Sequence, residues 1–196
     1  KVVGNAKTFT YMAQFFDVNL EDRKVEVKDG ESLSLGEHNL TFVCAPMVHW
    51  PEVMVAYESS EKVLFAADAF GKFGAISKYD GDWACEARRY YFNICGKYGV
   101  QVQSLLKKAA ALDIKTIAPL HGPVLKENLG YYLDLYNTWS SYGVESEGVL
   151  VAFASIHGNT RKAAEKIASI LEEQGAKKVV VSDLSRDDEA EVIEDA

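Results

Sequence analysis

Val149 to Ala154 is a continuous apolar run of strand length, and the stretch from there to Val181 restricts the fold more than any other part of the chain. A polar loop, Ser155-Ile156-His157-Gly158-Asn159-Thr160, leads into a helical pattern from Arg161 to about Gln174. Ala163, Ile167, Ile170 and Leu171 recur there at helical spacing and predict the packed face. Gly175 stops the helix, and Val179 to Val181 supply a second apolar strand. Strand, loop, helix and strand in that order predict a βαβ unit, the opening of a parallel sheet with crossover helices. One such unit cannot cover both faces of its sheet, so the expectation is the N-terminal part of a larger domain.

The loop has a chemistry of its own. The first N–H groups of a helix lack internal partners, and the helix dipole is positive there, so the position suits a phosphate. Ser155, Asn159 and Thr160 add short polar groups, Gly158 lets the backbone come close, and the amides of Ile156 and His157 add donors. The spacing is neither GxGxxG nor GxxxxGK[ST], which excludes the dinucleotide fingerprint and the triphosphate loop. A plainer reading is a capped helix start, with Asn159 or Thr160 bonding the first amides.

The segment before Gly143 reads differently. Ala6 to Phe16 has helical spacing, and Val25 and Val27 with the Asp29-Gly30 turn predict the start of a surface hairpin. Leu40–Cys44, Val53–Tyr57 and Val63–Ala66 read as strands, the last two joined as a hairpin by Glu58-Ser59-Ser60-Glu61. Residues 83 to 112 predict two helices broken at Gly96 and Gly99. Ile114 to Ala118 is a short strand, and residues 127 to 142 form a helix with Leu129, Tyr132, Leu133 and Tyr136 on one face. Ser140 to Gly148 is polar and reads as a linker.

Three strand ends carry possible metal ligands. They are His49 in Val-His-Trp-Pro, Asp68 nineteen residues on in Leu-Phe-Ala-Ala-Asp-Ala-Phe-Gly, and His121 in Pro-Leu-His-Gly-Pro. Imidazole and carboxylate together suit zinc or iron, and a carboxylate has two oxygens with which to bridge two ions. Taken singly, each also reads as a packed loop or turn residue. Trp50 reads as pocket lining or core, and His38, in Gly-Glu-His-Asn, as surface.

Taken together, His-Trp-Pro, Leu-Phe-x-x-Asp-Ala-Phe-Gly, Tyr-Tyr-x-Asn-Ile at residues 90–94 and Pro-x-His-Gly-Pro resemble the diiron domain of flavodiiron proteins. The 155–160 loop is similar to the FMN-phosphate loop of flavodoxins. The resemblance implies an α/β chain: the C-terminal part of a metallo-β-lactamase-like αββα sandwich at 1–143, then the N-terminal part of a flavodoxin-like doubly wound parallel sheet at 148–196. It implies His49 and His121 as terminal ligands, one per iron, and Asp68 as the bridge. The cofactors implied are FMN and two non-haem irons. The reaction implied is reduction of dioxygen to water, nitric oxide to nitrous oxide, or both, fed by a rubredoxin-like or NAD(P)H-linked donor in a head-to-tail homodimer. The family's His-x-Glu-x-Asp-His motif does not occur in these residues, so a truncation after it, and an inactive fragment, are expected. A dinuclear zinc hydrolase and a non-enzymatic flavin carrier are the alternatives.

Composition excludes other classes. With 48% hydrophobic and 26% charged residues the chain has an ordinary globular balance. A net charge of -8 leaves no basic stripe for nucleic acid. No apolar run approaches the roughly 20 residues of a membrane helix. The acidic stretch Asp183 to Asp195 reads as solvated surface. Cys44, Cys85 and Cys95 form no close pair and read as packing residues in a reducing, cytoplasmic setting.

Overall fold

The computed structural model describes residues 1–78 and 81–196 and divides into two compact units, Lys1–Gly143 and Val144–Ala196. In the first, β1 (Val2–Gly4) leads through the Asn5 cap into α1 (Ala6–Phe15), where the Asn5 side chain accepts from the Thr8 amide at 3.0 Å. The strand β2 (Lys24–Glu26) pairs in parallel with β1. The next strand, β3 (Ser32–Ser34), belongs to a different sheet and pairs with β4 (Asn39–Cys44). The hairpin expected around Asp29-Gly30 is therefore displaced: β2 and β3 do not pair, and the hairpin turn lies at residues 35–38. Alternation marks a strand, but it does not say which strand lies alongside.

The central sheet continues through β5 (Met54–Glu58), β6 (Val63–Phe65) and β7 (Thr116–Ala118) in the order β3-β4-β5-β6-β7. Its first four strands are antiparallel and β7 joins β6 in parallel. The helices α2 (Ala84–Ile94), α3 (Gly99–Ala109) and α4 (Leu129–Ser140) contribute the rest of the core. The two glycines act as expected, bounding a single 3-10 turn between α2 and α3. Gly99 admits no side chain: a Cβ there would stand 2.4 Å from the Ser140 carbonyl oxygen.

Aromatic packing dominates this core. Trp139 is stacked on Trp83 with ring centroids 5.9 Å apart, and Tyr91 and Tyr136 close on it at 5.5 Å each. Such pairs add about 0.5–1.5 kcal/mol each beyond the area they bury. Cys95 is buried among them, and burial pushes its thiol up to about 12. Cys85, expected as a packing residue, is instead exposed.

Glu58 ends β5 and folds the turn behind it. Its carboxylate accepts from the amides of Ser60 at 2.9 Å and Glu61 at 2.6 Å, and His38, exposed at the surface as expected, brings Nδ1 to 3.2 Å. The Glu61 amide leads the causes that hold the Glu58 carboxyl down at about 2, against an ordinary 4.5. Between those two values the unfolded chain binds the extra proton. This contribution is therefore fully present above about pH 4.5 and lost as pH falls toward 2. In urea titrations, Glu58→Gln is expected to lose stability at neutral pH and to show a shallower decline below pH 4.5 than the parent.

In the second unit, β8 (Val149–Phe153) pairs in parallel with β9 (Val179–Asp183), crossed over by α5 (Asn159–Glu173) and followed by α6 (Glu189–Asp195). The expected βαβ unit is there, but α5 buries Ala164 and Ala168, while Ile167 and Ile170 remain 50% and 39% exposed. A sheet of two strands is narrower than the helix's apolar stripe, so only its middle is covered. Asp183, expected among solvated acids, is buried: it accepts from Ser185 Oγ and from Arg161 Nη2, both at 2.5 Å. No helix among the described residues is long and apolar enough to cross a membrane.

Candidate functional site

Strand register explains how three distant side chains meet. Cys44 at the end of β4 faces Met54 at the start of β5, and Phe65 at the end of β6 faces Ala118 at the end of β7. The loops carrying His49, Asp68 and His121 therefore leave the sheet at the same end of its strands. Backbone bonds tie two of them together: the Ala66 amide donates to Ala118 O at 3.0 Å and the Leu120 amide to Ala67 O at 2.8 Å. The loops are held in costly conformations. Met47, Ala67 and Phe70 have φ of 68°, 51° and 63°, a region that costs side-chain-bearing residues about 1–2 kcal/mol.

Asp68 lies between the two imidazoles. Its Oδ2 is 3.6 Å from His49 Nε2 and its Oδ1 is 3.3 Å from His121 Nε2. Each oxygen thus addresses a different ring. Two donors at right angles, each about 2.1 Å from one ion, stand about 3 Å apart, so this spacing suits a carboxylate shared by two ions with one imidazole on each. Among the described residues, no group of three or more His, Cys, Asp or Glu side chains is placed to hold a metal ion by itself. His49, Asp68 and His121 are chemically fitted to part of a dinuclear set, and a complete one requires further donors.

Surrounding groups fix this arrangement. Tyr90, on α2, sets its ring 5.9 Å from His121 and lies near enough to Asp68 to feel its charge. Burial, and then the negative charge of Asp68, push the Tyr90 phenol well above its ordinary range, so it remains a proton donor. The Phe70 amide donates to the buried Tyr136 hydroxyl at 2.6 Å. Trp50 is 54% exposed and tilts 5.8 Å from His49, lining a cleft of 580 Å³ with Met47, Phe92 and Tyr98. The roles of Tyr136 and of Lys72 are not apparent in the sequence, since their partners lie 66 and 10 residues away. Tyr90 falls within the Tyr-Tyr-x-Asn-Ile motif, but its place beside His121 becomes visible only in the fold.

In the second unit the 155–160 loop joins β8 to α5. Gly158 has φ +79°, and a Cβ there would meet nothing within 4 Å. No side chain caps α5, so the capped-helix reading of Asn159 and Thr160 does not hold. Ser155 is half-buried, Ile156 is 91% exposed, and His157, Asn159 and Thr160 are solvent-accessible. The unsatisfied amides of the first helical turn and an open glycine make a cradle that fits a phosphate. Arg161 in that turn is held by Asp183 and lies over the Phe153 ring at 5.1 Å.

Residues 2–122 match the family described as ODP family beta lactamase. The chain belongs to that family. Among curated relatives of this ODP-family chain, a nitric oxide reductase of Moorella thermoacetica is 33% identical over 86% of the chain and 44% of its own length. Diflavin flavoprotein A 1 of Synechocystis is 33% identical over 92% of the chain and 33% of its own length. The fold is that of flavodiiron proteins. Rubredoxin oxygen:oxidoreductase of Desulfovibrio gigas superposes with a TM-score of 0.89 at 24% identity, over 98% of this chain and 50% of that one. The flavodiiron protein of Giardia intestinalis gives 0.88 at 24% identity, over 98% and 48%. The ODP-family chain thus spans half or less of the length of these relatives.

Proposed function

We propose that this chain contributes to an oxidoreductase that reduces dioxygen to water, nitric oxide to nitrous oxide, or both, at a non-haem diiron centre supplied with electrons by FMN. The observation that carries the reading is the Asp68 carboxylate with one oxygen toward each of two imidazoles. His49 and His121 would each bind one iron and Asp68 would bridge them. A pair of irons supplies two electrons to one small substrate, and FMN converts between one- and two-electron traffic. Tyr90, its ring 5.9 Å from His121, would keep a protonated phenol beside the site. Relatives named nitric oxide reductase and rubredoxin oxygen:oxidoreductase support the reaction class.

The second unit would be the opening of a flavodoxin-like domain, with 1–143 and 148–196 as the two domain segments. Ser155, Ile156, His157, Gly158, Asn159 and Thr160 would cradle the FMN phosphate. The electron donor would be rubredoxin-like or NAD(P)H-linked. The setting would be cytoplasmic, and the assembly a head-to-tail homodimer that brings FMN of one subunit to the irons of the other. Sedimentation of the native protein tests the last point: a dimer is expected, and a fully active monomer contradicts it.

Gly158 offers a direct test of the cradle. Gly158→Ala places a Cβ on a residue at φ +79°, which shifts the turn that presents the amides. FMN affinity in the native protein is expected to fall about tenfold, or about 1.4 kcal/mol. Unchanged affinity by fluorescence titration removes the loop from the flavin site.

A further inference from the structure

Lys72 is 7% exposed, an unusual burial for a lysine in a glycine-flanked turn. Its place connects three segments of the metal-site architecture. The Lys72 amide donates to the His121 carbonyl at 3.4 Å, and its Nζ donates to the Asp82 carbonyl at 2.9 Å, just ahead of α2. Its stem runs against Gly122, where φ is +91° and a Cβ would stand 2.7 Å from Lys72 Cγ. Gly122 is the residue after His121, and α2 carries Tyr90, whose ring stands 5.9 Å from that of His121. Gly71 is equally confined, since a Cβ there would meet the Tyr90 ring at 2.9 Å.

We infer that Lys72 is a positioning residue for His121. Its aliphatic stem supports the His121-Gly122 turn from beneath, and its ammonium fastens that turn and the Asp68 loop to the start of α2. Gly122 is required because only a residue without a Cβ lets the stem pass. A lysine serves here because four methylenes pack while the terminal amine reaches a carbonyl. His121, 58% exposed, has little packing of its own to hold its ring beside Asp68. The loop therefore depends on this support from the neighbouring turn.

The inference rests on the proposed function only where iron is concerned, so the test has two arms. In metal-free native protein, hydrogen exchange of residues 118–123 reports the turn directly. Lys72→Ala, which removes stem and ammonium, is expected to speed exchange there about tenfold, with the β4–β5 amides and the melting temperature unchanged. Lys72→Met keeps the stem and removes the donor, and is expected to fall between Ala and the parent. Lys72→Arg is expected to stay near the parent. In the iron-loaded protein, Lys72→Ala is expected to release iron to a chelator about tenfold faster.

Parent-like exchange in both Lys72→Ala and Lys72→Met overturns the inference, whatever the protein's iron content. Exchange raised equally across the whole sheet overturns it too, because Lys72 would then act on global stability. If Lys72→Ala does not fold, Lys72→Met decides. A parent protein that binds no iron overturns the functional reading and leaves the exchange arm as the test of Lys72.

Discussion

Asp68→Ala is expected to leave the native protein with its fold intact and almost no iron. The carboxylate is the only one of the three donors that faces both of the others, at 3.6 Å and 3.3 Å. Removing it separates two imidazoles that have no other common partner among the donors proposed. Loss of an outer-shell partner typically costs metal affinity about 10–100-fold, so loss of the bridge itself is expected to exceed about 100-fold. Asp68 lies in the loop beyond the end of β6 and outside the apolar core, so melting temperature and far-UV circular dichroism should match the metal-free parent. Iron analysis after anaerobic loading checks the outcome. An Asp68→Ala protein that retains two irons would show that the bridge lies elsewhere.

The largest stability effect is expected at Trp139. It is fully buried and meets Trp83, Tyr91, Phe92 and Tyr136. Trp139→Ala is expected to destabilise the first unit by about 3–5 kcal/mol, the range for deleting a buried aromatic side chain. Part of that loss would reach the site. Tyr136 packs on Trp139 and accepts the Phe70 amide, two residues from Asp68. A cavity at Trp139 frees Tyr136 to move and weakens its hold on a loop kept at positive φ at Ala67 and Phe70. Urea unfolding of parent and variant measures the first effect. A loss below about 1 kcal/mol, the scale of an ordinary substitution, would mean that the aromatic cluster is not the centre of the core.

The strands and helices of this chain are legible where periodicity is strong. The break at Gly96 and Gly99, the β5–β6 hairpin and the parallel β8–β9 pair all come from local pattern. Partnership across distance is lost. Nothing near Val25 indicates that β2 lies beside β1 in parallel while β3 joins another sheet. The packed face of α5 differs from the expected one because helical spacing names the apolar residues but not the width of the sheet beneath them. Ile167 and Ile170 are the larger residues, yet Ala164 and Ala168 make the contact.

The candidate site divides in the same way. His49, Asp68 and His121 stand out because each carries a donor type at a strand end. Their meeting depends on the register of four strands, which the sequence does not display. The supporting residues are harder still. A lysine in a Gly-Lys-Phe-Gly turn has every compositional reason to face solvent, and Lys72 is buried by contacts with Gly122 and Asp82. The polar neighbours of Asp183 point to the surface, yet it is buried and paired with Arg161, 22 residues away. Polar context predicts exposure only until a distant partner satisfies the group.

Iron and flavin analysis of the native gene product tests the central claim most directly. About two irons and one FMN per chain are expected, the content of a bridged diiron centre joined to a flavin domain. Zinc in place of iron without flavin, or FMN with no metal, would contradict it.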